Sequence, residues 1–298
     1  MLTIEELVDG VRDLVPLPKA YIRIQELVND PDSSVDDVTK VIMNDTALTS
    51  RILRIANSAY MGLLSKVDTV ARAVQVLGLN QVHDLALAGA AVGSLAKIKT
   101  PTLDINDFWR RSVYCAVVAR IICKQRKIGS PERLFVAGLL HDTGHLLLAY
   151  RQPELYGQLR TQSIETCVPM AAIEQQNLGF TYAELGAALL GSWQLPETII
   201  TPVQHHVLDV AQMPNDALAE ITVMQISAVI ARAAMWRSDA DEPVPDFDPL
   251  ALQEHDIDEK HIETIMQEAD AAVIEAMTLL LPNVDRQPAR RSATASAA

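Results

Sequence analysis

The sequence predicts an all-α protein, and three observations carry that prediction. Apolar residues make up 49% of the 298 positions while aromatics make up only 4%, and Ala, Leu, Val and Ile suit helix packing better than a β-sandwich. Apolar residues recur at helical spacing, as at Tyr21, Ile24, Leu27 and Val28, and no stretch alternates with a strand's period of two. Helix starts are written out chemically: Thr3-Ile-Glu-Glu6 and Thr181-Tyr-Ala-Glu184 both have the form of a capping box.

Taken in order, the first helix runs from Thr3 to about Leu14 and is broken by Pro16 and Pro18. A second carries Tyr21 to Val28, and Asp30-Pro31-Asp32-Ser33 turns the chain. Ser34-Val-Asp-Asp37 opens a third helix, and Leu48, Ile52, Leu53, Ile55 and Ala56 mark a fourth that Asn57-Ser58 closes. Thr69–Leu77 is a fifth, stopped by Gly78, and Asn80 is expected to cap a sixth from Val82 to Leu95. Residues 1–96 thus read as an N-terminal helical lobe, and 97–104, with Pro101, as a linker. Residues 105–282 form a second lobe of longer helices. These are Asp107–Lys124, Pro131–Tyr150, Pro153–Gln162, Pro169–Leu178, Ala183–Trp193, Pro196–Val207, Ala217–Trp236 and His261–Leu281. Arg237–Asp248 is acidic and Pro-rich, a loop by composition, and the tail 283–298 reads as disordered.

Charge and cysteine usage exclude several classes. A formal net charge of −13 repels nucleic-acid phosphates and anionic membranes, leaving room only for a small anion in a local basic pocket. Cys115, Cys123 and Cys167 are odd in number and match no zinc spacing; the first two read as small core residues. The N-terminus has no basic region followed by an apolar run, and no segment reaches the length of a membrane span, so the expectation is a reduced, cytoplasmic protein.

The stretch Leu134–Tyr150 is the anchor. It reads as one buried helix: Ser130 offers a cap, Pro131 fits the first turn and Glu132 complements the dipole. Into it the sequence places His141, Asp142 and His145. A buried carboxylate must be compensated, either by a metal or by a local hydrogen-bond network, and which of the two applies decides whether the protein is an enzyme. His205-His206 is a second polar pair; with His141 and Asp142, one of them would bring a metal's ligands to three, where a metal phosphohydrolase needs about four to six. Without a metal, Arg111 is a candidate partner for the His-Asp pair through a charge-assisted bond.

Gly138-Leu-Leu-His-Asp-Thr-Gly144 resembles the core motif of HD-domain phosphohydrolases. More specifically, the chain resembles the HDOD family, bacterial signalling proteins related to HD and HD-GYP proteins. The resemblance rests on Leu17-Pro18, Asn44–Thr49, Arg51–Ser58, Val70–Gly78, Phe108–Ser112, Gly138–Gly144, Gly186–Pro196 and His205-His206, in that order. It implies an eroded metal site. Arg111 stands where active HD proteins carry a histidine, Tyr182 stands where a second is expected, and Ser227 and Ala228 stand where a closing aspartate would lie. No Gly-Tyr-Pro signature is present. The residual site is then His141, Asp142, His205, His206, Arg111 and Tyr182, with no catalytic residue, no metal and no cofactor. Were a divalent metal bound, His141, Asp142 and His205 would hold it.

The implied function is a non-catalytic signal-transduction regulator working in trans through contacts with other signalling proteins. The alternatives are a metal-dependent phosphohydrolase or phosphodiesterase, and a nucleotide sensor without turnover. Thr181 and Glu184 read as capping groups, Trp109 and Trp193 as core anchors, and a cationic imidazole at His205-His206 would suit a helix C-terminus. Arg51/Arg54 and Arg110/Arg111 read as anion clusters or as solvated charge.

Overall fold

Capping side chains decide where most helices begin. In the computed structural model, which describes residues 2–12, 14–57, 66–236 and 241–281, all regular structure is helical. The N-terminal part holds α1 (Ile4–Arg12), α2 (Lys19–Asn29), α3 (Val35–Met43), α4 (Thr46–Ala56), α5 (Val70–Leu77) and α6 (Leu79–Leu95). Thr3 and Glu6 bond each other's backbone N–H as a capping box, Ser34 and Asp37 do the same, and Asp45 and Thr69 cap α4 and α5. Asn80 does not cap α6. Gly78, at φ 86°, ends α5 and starts α6 with no spacer, a reversal that glycine makes without a Cβ penalty. The Asn57 side chain accepts from the Val67 N–H and donates to the Val67 carbonyl; Ser58 and the tail 283–298 lie outside the described residues.

The second part holds α7 (Ile105–Arg126), α8 (Pro131–Leu140), α9 (Thr143–Arg151), α10 (Pro153–Thr166), α11 (Met170–Leu178), α12 (Tyr182–Ser192), α13 (Glu197–His205), α14 (Leu218–Met235), α15 (Pro249–Glu254) and α16 (Glu259–Leu280). Helix α7 is the axis: α8, α14 and α16 pack on it. Gly138 lets α8 approach closely, since a Cβ there would lie 2.6 Å from the Ala116 Cα. The two parts share one apolar core. Helix α1 lies against α9 and α12, α6 against α8, and α16 reaches α4. The Trp193 indole donates to the Val15 carbonyl at 3.1 Å across this seam.

The stretch expected to form one helix from 134 to 150 is two. It breaks at His141–Asp142, where Asp142 takes φ −94° and ψ 6°. Packing causes the break: α9 must turn to lie on α12, and Gly144 comes so near that a Cβ would sit 1.9 Å from the Tyr182 carbonyl oxygen. The joint satisfies its own backbone, with the Thr143 hydroxyl donating to the Leu140 carbonyl and the His145 N–H to the Asp142 carbonyl. The break leaves His141 and Asp142 on a turn between two buried helices.

One expectation about membranes also changes. The helical stretch Asn215–Met235 is long and apolar enough to span a bilayer by length and composition. Its apolar side chains are spent on the protein core instead, against α7, α8 and α13.

Gly144 on α9 and Gly191 on α12 separate steric need from convenience. Gly144→Ala is expected to cost about 2–3 kcal/mol or to prevent folding. Gly191, whose Cβ position meets nothing within 4 Å, should tolerate alanine with a gain of about 0.5 kcal/mol. Urea unfolding of both variants checks the contrast.

Candidate functional site

Asp142 is fully buried, and two helices remote in sequence bring charge to it. The Arg111 Nε on α7 donates to Asp142 Oδ2. The Arg232 Nη2 on α14 lies 3.7 Å from Oδ1. Burial pushes the Asp142 carboxyl up, but Arg111 foremost pulls it well below the usual carboxylate range, with His141 and Arg232 assisting. The carboxylate is therefore ionised and paired inside the protein.

The surrounding imidazoles are neutral, and their partners fix the tautomers. His141 Nδ1–H donates to the Gly138 carbonyl at 2.7 Å, so its Nε2 lone pair faces Asp142 Oδ1 at 3.4 Å. Burial pushes the His141 pKa down. His206 Nδ1–H donates to the Val203 carbonyl at 2.7 Å, and its Nε2 accepts from the Tyr182 hydroxyl at 3.2 Å. Burial pushes His206 down to about 3; it is not the cation that its place at a helix C-terminus would favour. Its ring meets His141 edge-on, centroids 5.6 Å apart.

His205 is not part of this cluster. It is half-buried and bonds the Thr201 carbonyl of its own helix at 2.9 Å. Adjacent residues on a helix point about 100° apart, so only one of the pair can face Asp142, and it is His206. The three-ligand set His141, Asp142 and His205 is thereby corrected.

His145, which the sequence places in the buried anchor stretch, joins the cluster together with three participants that carried no clear signal in the sequence, Glu174, Arg232 and Glu242. His145 stacks on Tyr182 with ring centroids 3.8 Å apart and accepts from Arg232 Nη2 at 3.4 Å. An arginine only donates, so the His145 ring proton is on Nδ1, 3.5 Å from Glu174 Oε1. Burial holds His145 down at about 3. Glu174 is fully buried on α11, and its Oε2 accepts the Tyr182 N–H at 2.6 Å. Burial pushes its carboxyl up to about 8. Arg232 lies one turn beyond Ala228, and side chains on a helix lean toward its N-terminus; that offset was the available clue. Glu242, from the Pro-rich loop, accepts from Arg232 Nη1 at 2.8 Å and from Arg160 Nε at 3.2 Å.

These residues do not fit a divalent metal. His141 Nε2 and Asp142 Oδ1 are acceptors without a hydrogen-bond partner and face one another, but a catalytic zinc takes three protein ligands. Among the described residues no such group of His, Cys, Asp and Glu converges. His206 Nε2 is engaged by Tyr182. Two guanidiniums flank Asp142, placing positive charge where a cation would have to enter.

The fold and the site together define an all-helical domain built around a buried His-Asp joint. Residues 14–208 match the HDOD domain family, and the chain belongs to that family. It is similar to an HDOD domain protein of unknown function from Geobacter sulfurreducens, 25% identical, with a TM-score of 0.74 over 93% of this chain and 97% of that one. It is also similar to a candidate phosphohydrolase from Shewanella amazonensis SB2B, 25% identical, with a TM-score of 0.70 over 92% and 97%. An uncharacterized protein of Treponema pallidum (strain Nichols) is 26% identical over 199 residues, which is 66% of this chain and 38% of that protein's length.

Two outcomes follow from the buried charges. Asp142→Ala should cost about 3–5 kcal/mol, because it strands Arg111 and strips Arg232 of one of its two carboxylates, and Arg111→Met combined with Asp142→Leu should recover part of that loss in a urea-unfolding double-mutant cycle. Glu174 contributes stability that is full below its ordinary pKa of 4.5 and is lost as pH rises toward the folded value of about 8. The gap between wild type and Glu174→Gln should therefore shift against the wild type by on the order of 4 kcal/mol between those two pH values; the histidine contributions cancel in that comparison.

Proposed function

We propose that this chain is a non-catalytic HDOD-type signal-transduction regulator that acts through contacts with other signalling proteins. The observation that carries this reading is the pairing of Asp142 with Arg111 and Arg232. A metal phosphohydrolase needs that carboxylate free to hold a cation and activate water. Here it is consumed by guanidiniums, and the role left to the His-Asp joint is structural: it holds α8, α9, α7 and α14 in one arrangement. Membership of the HDOD family supports a place in bacterial signalling. The chain's acidity supports protein partners over nucleic acid.

His141 Nε2 and Asp142 Oδ1, which accept no hydrogen bond, favour a second reading, a metal-dependent hydrolase with a reduced ligand set. The two readings separate cleanly. Purified protein incubated with linear and cyclic nucleotides plus Mg²⁺, Mn²⁺ or Fe²⁺ should release no product, and a chelator should leave the wild-type melting temperature unchanged. Turnover that disappears in both His141→Ala and Asp142→Ala, or a chelator-induced loss of stability restored by metal, would overturn the regulator reading. Affinity capture from the source cell tests its positive half, with a signalling protein retained by wild type as the expected result.

A further inference from the structure

Glu242 is an anion delivered into a cluster of arginines by its own chain. Arg232 and Arg160 both donate to its carboxylate, and Arg111 is near enough to help hold it ionised, with a pKa of about 2 despite its burial. Beside it lies a pocket of about 200 Å³ lined by Arg111, Arg160, Arg232, Tyr156 and Trp236. A water takes about 30 Å³ in the liquid, so this space admits a tetrahedral oxyanion with room to spare. Asp104, Asp107 and Asp241 also border it; Asp104 is occupied in capping α7 and Asp107 pairs with Arg110 at 3.6 Å.

Residues 241–248 deliver Glu242. This segment is non-helical, and Pro243 and Pro245 have no N–H to donate. The same segment roofs a second, larger pocket of about 510 Å³, whose walls include Met170, Val229 and Phe247 and whose inner end is Tyr182, His206 and Arg232. Arg232 borders both spaces. Moving Glu242 away would release Arg160 and the Nη1 side of Arg232, while Nη2 of Arg232 stays beside Asp142; guanidinium forks match phosphate oxygens, and the larger, mainly apolar pocket lies next to them.

We propose that the Arg111–Arg160–Arg232 pocket binds the phosphoryl group of a small organic phosphate, and that Glu242 is the chain's own stand-in, displaced when such a ligand enters with its apolar body in the larger pocket. This goes beyond the regulator reading and does not depend on it, because a site that binds without turnover and one that hydrolyses would both need this anchor.

Titration calorimetry of the full chain with inorganic phosphate and with phenyl phosphate tests the assignment. Phenyl phosphate should bind more tightly than inorganic phosphate. Glu242→Gln, checked for folding by circular dichroism, should tighten both by about tenfold or more, and Arg160→Ala in that background should abolish the gain. Glu242→Gln binding no tighter than wild type, or Arg160→Ala binding as well as its parent, overturns the proposal. Should Glu242→Gln not fold, the wild type decides through Trp236. Its emission should shift with phenyl phosphate and not with chloride at matched ionic strength, and the shift should vanish in Trp236→Phe. No phosphate-specific shift up to the ligand's solubility overturns the proposal. Release of phenol would support the site while overturning the non-catalytic reading.

Discussion

A carboxylate with no access to water is tolerated only when positive charge and hydrogen bonds replace its hydration. Asp142 meets that condition through Arg111 on α7 and Arg232 on α14. The requirement reaches outward. Arg232, anchored by Asp142, also bonds His145 and Glu242, and its guanidinium lies 5.9 Å above the Tyr182 ring. Tyr182 in turn supplies the hydrogen bond that engages His206. One buried charge thereby orders side chains from the α8–α9 joint, α11, α12, α13, α14 and the Pro-rich loop.

Close backbone contact makes this network possible. Gly138 and Gly144 bring α8 against α7 and α9 against α12, and the joint between α8 and α9 turns where His141 and Asp142 stand. Had the helix continued, the adjacent His141 and Asp142 side chains would have pointed about 100° apart. The polar cluster and the chain break are one arrangement, stabilised by packing outside and by charge pairing within.

Three kinds of protonation coexist within a few ångströms. Asp142 and Glu242 are ionised because guanidiniums face them, Glu174 is pushed up to about 8 by burial, and the histidines are neutral because burial outweighs their neighbours. This pattern of separated pKa values is common at functional sites. In this chain it arises together with two guanidiniums at the His-Asp joint.

The sequence alone determined the helical class and most helix starts, and it singled out His141, Asp142, Arg111 and Tyr182. Those signals are local: capping pairs, apolar spacing and a short motif whose residues are adjacent in the chain. The family was legible for the same reason, through ordered motifs from Leu17 to His206. Tertiary structure decided what locality cannot encode. Gly144 against the Tyr182 carbonyl broke a helix that its own composition would have continued. The orientation of α13 selected His206 over His205. Arg232, Glu174 and Glu242 joined the site although Glu174 is 32 residues and Glu242 100 residues from Asp142 along the chain. Charge compensation acts through space over a few ångströms, so the partners of a buried carboxylate are set by which helices meet around it, and no spacing rule in the chain records that meeting.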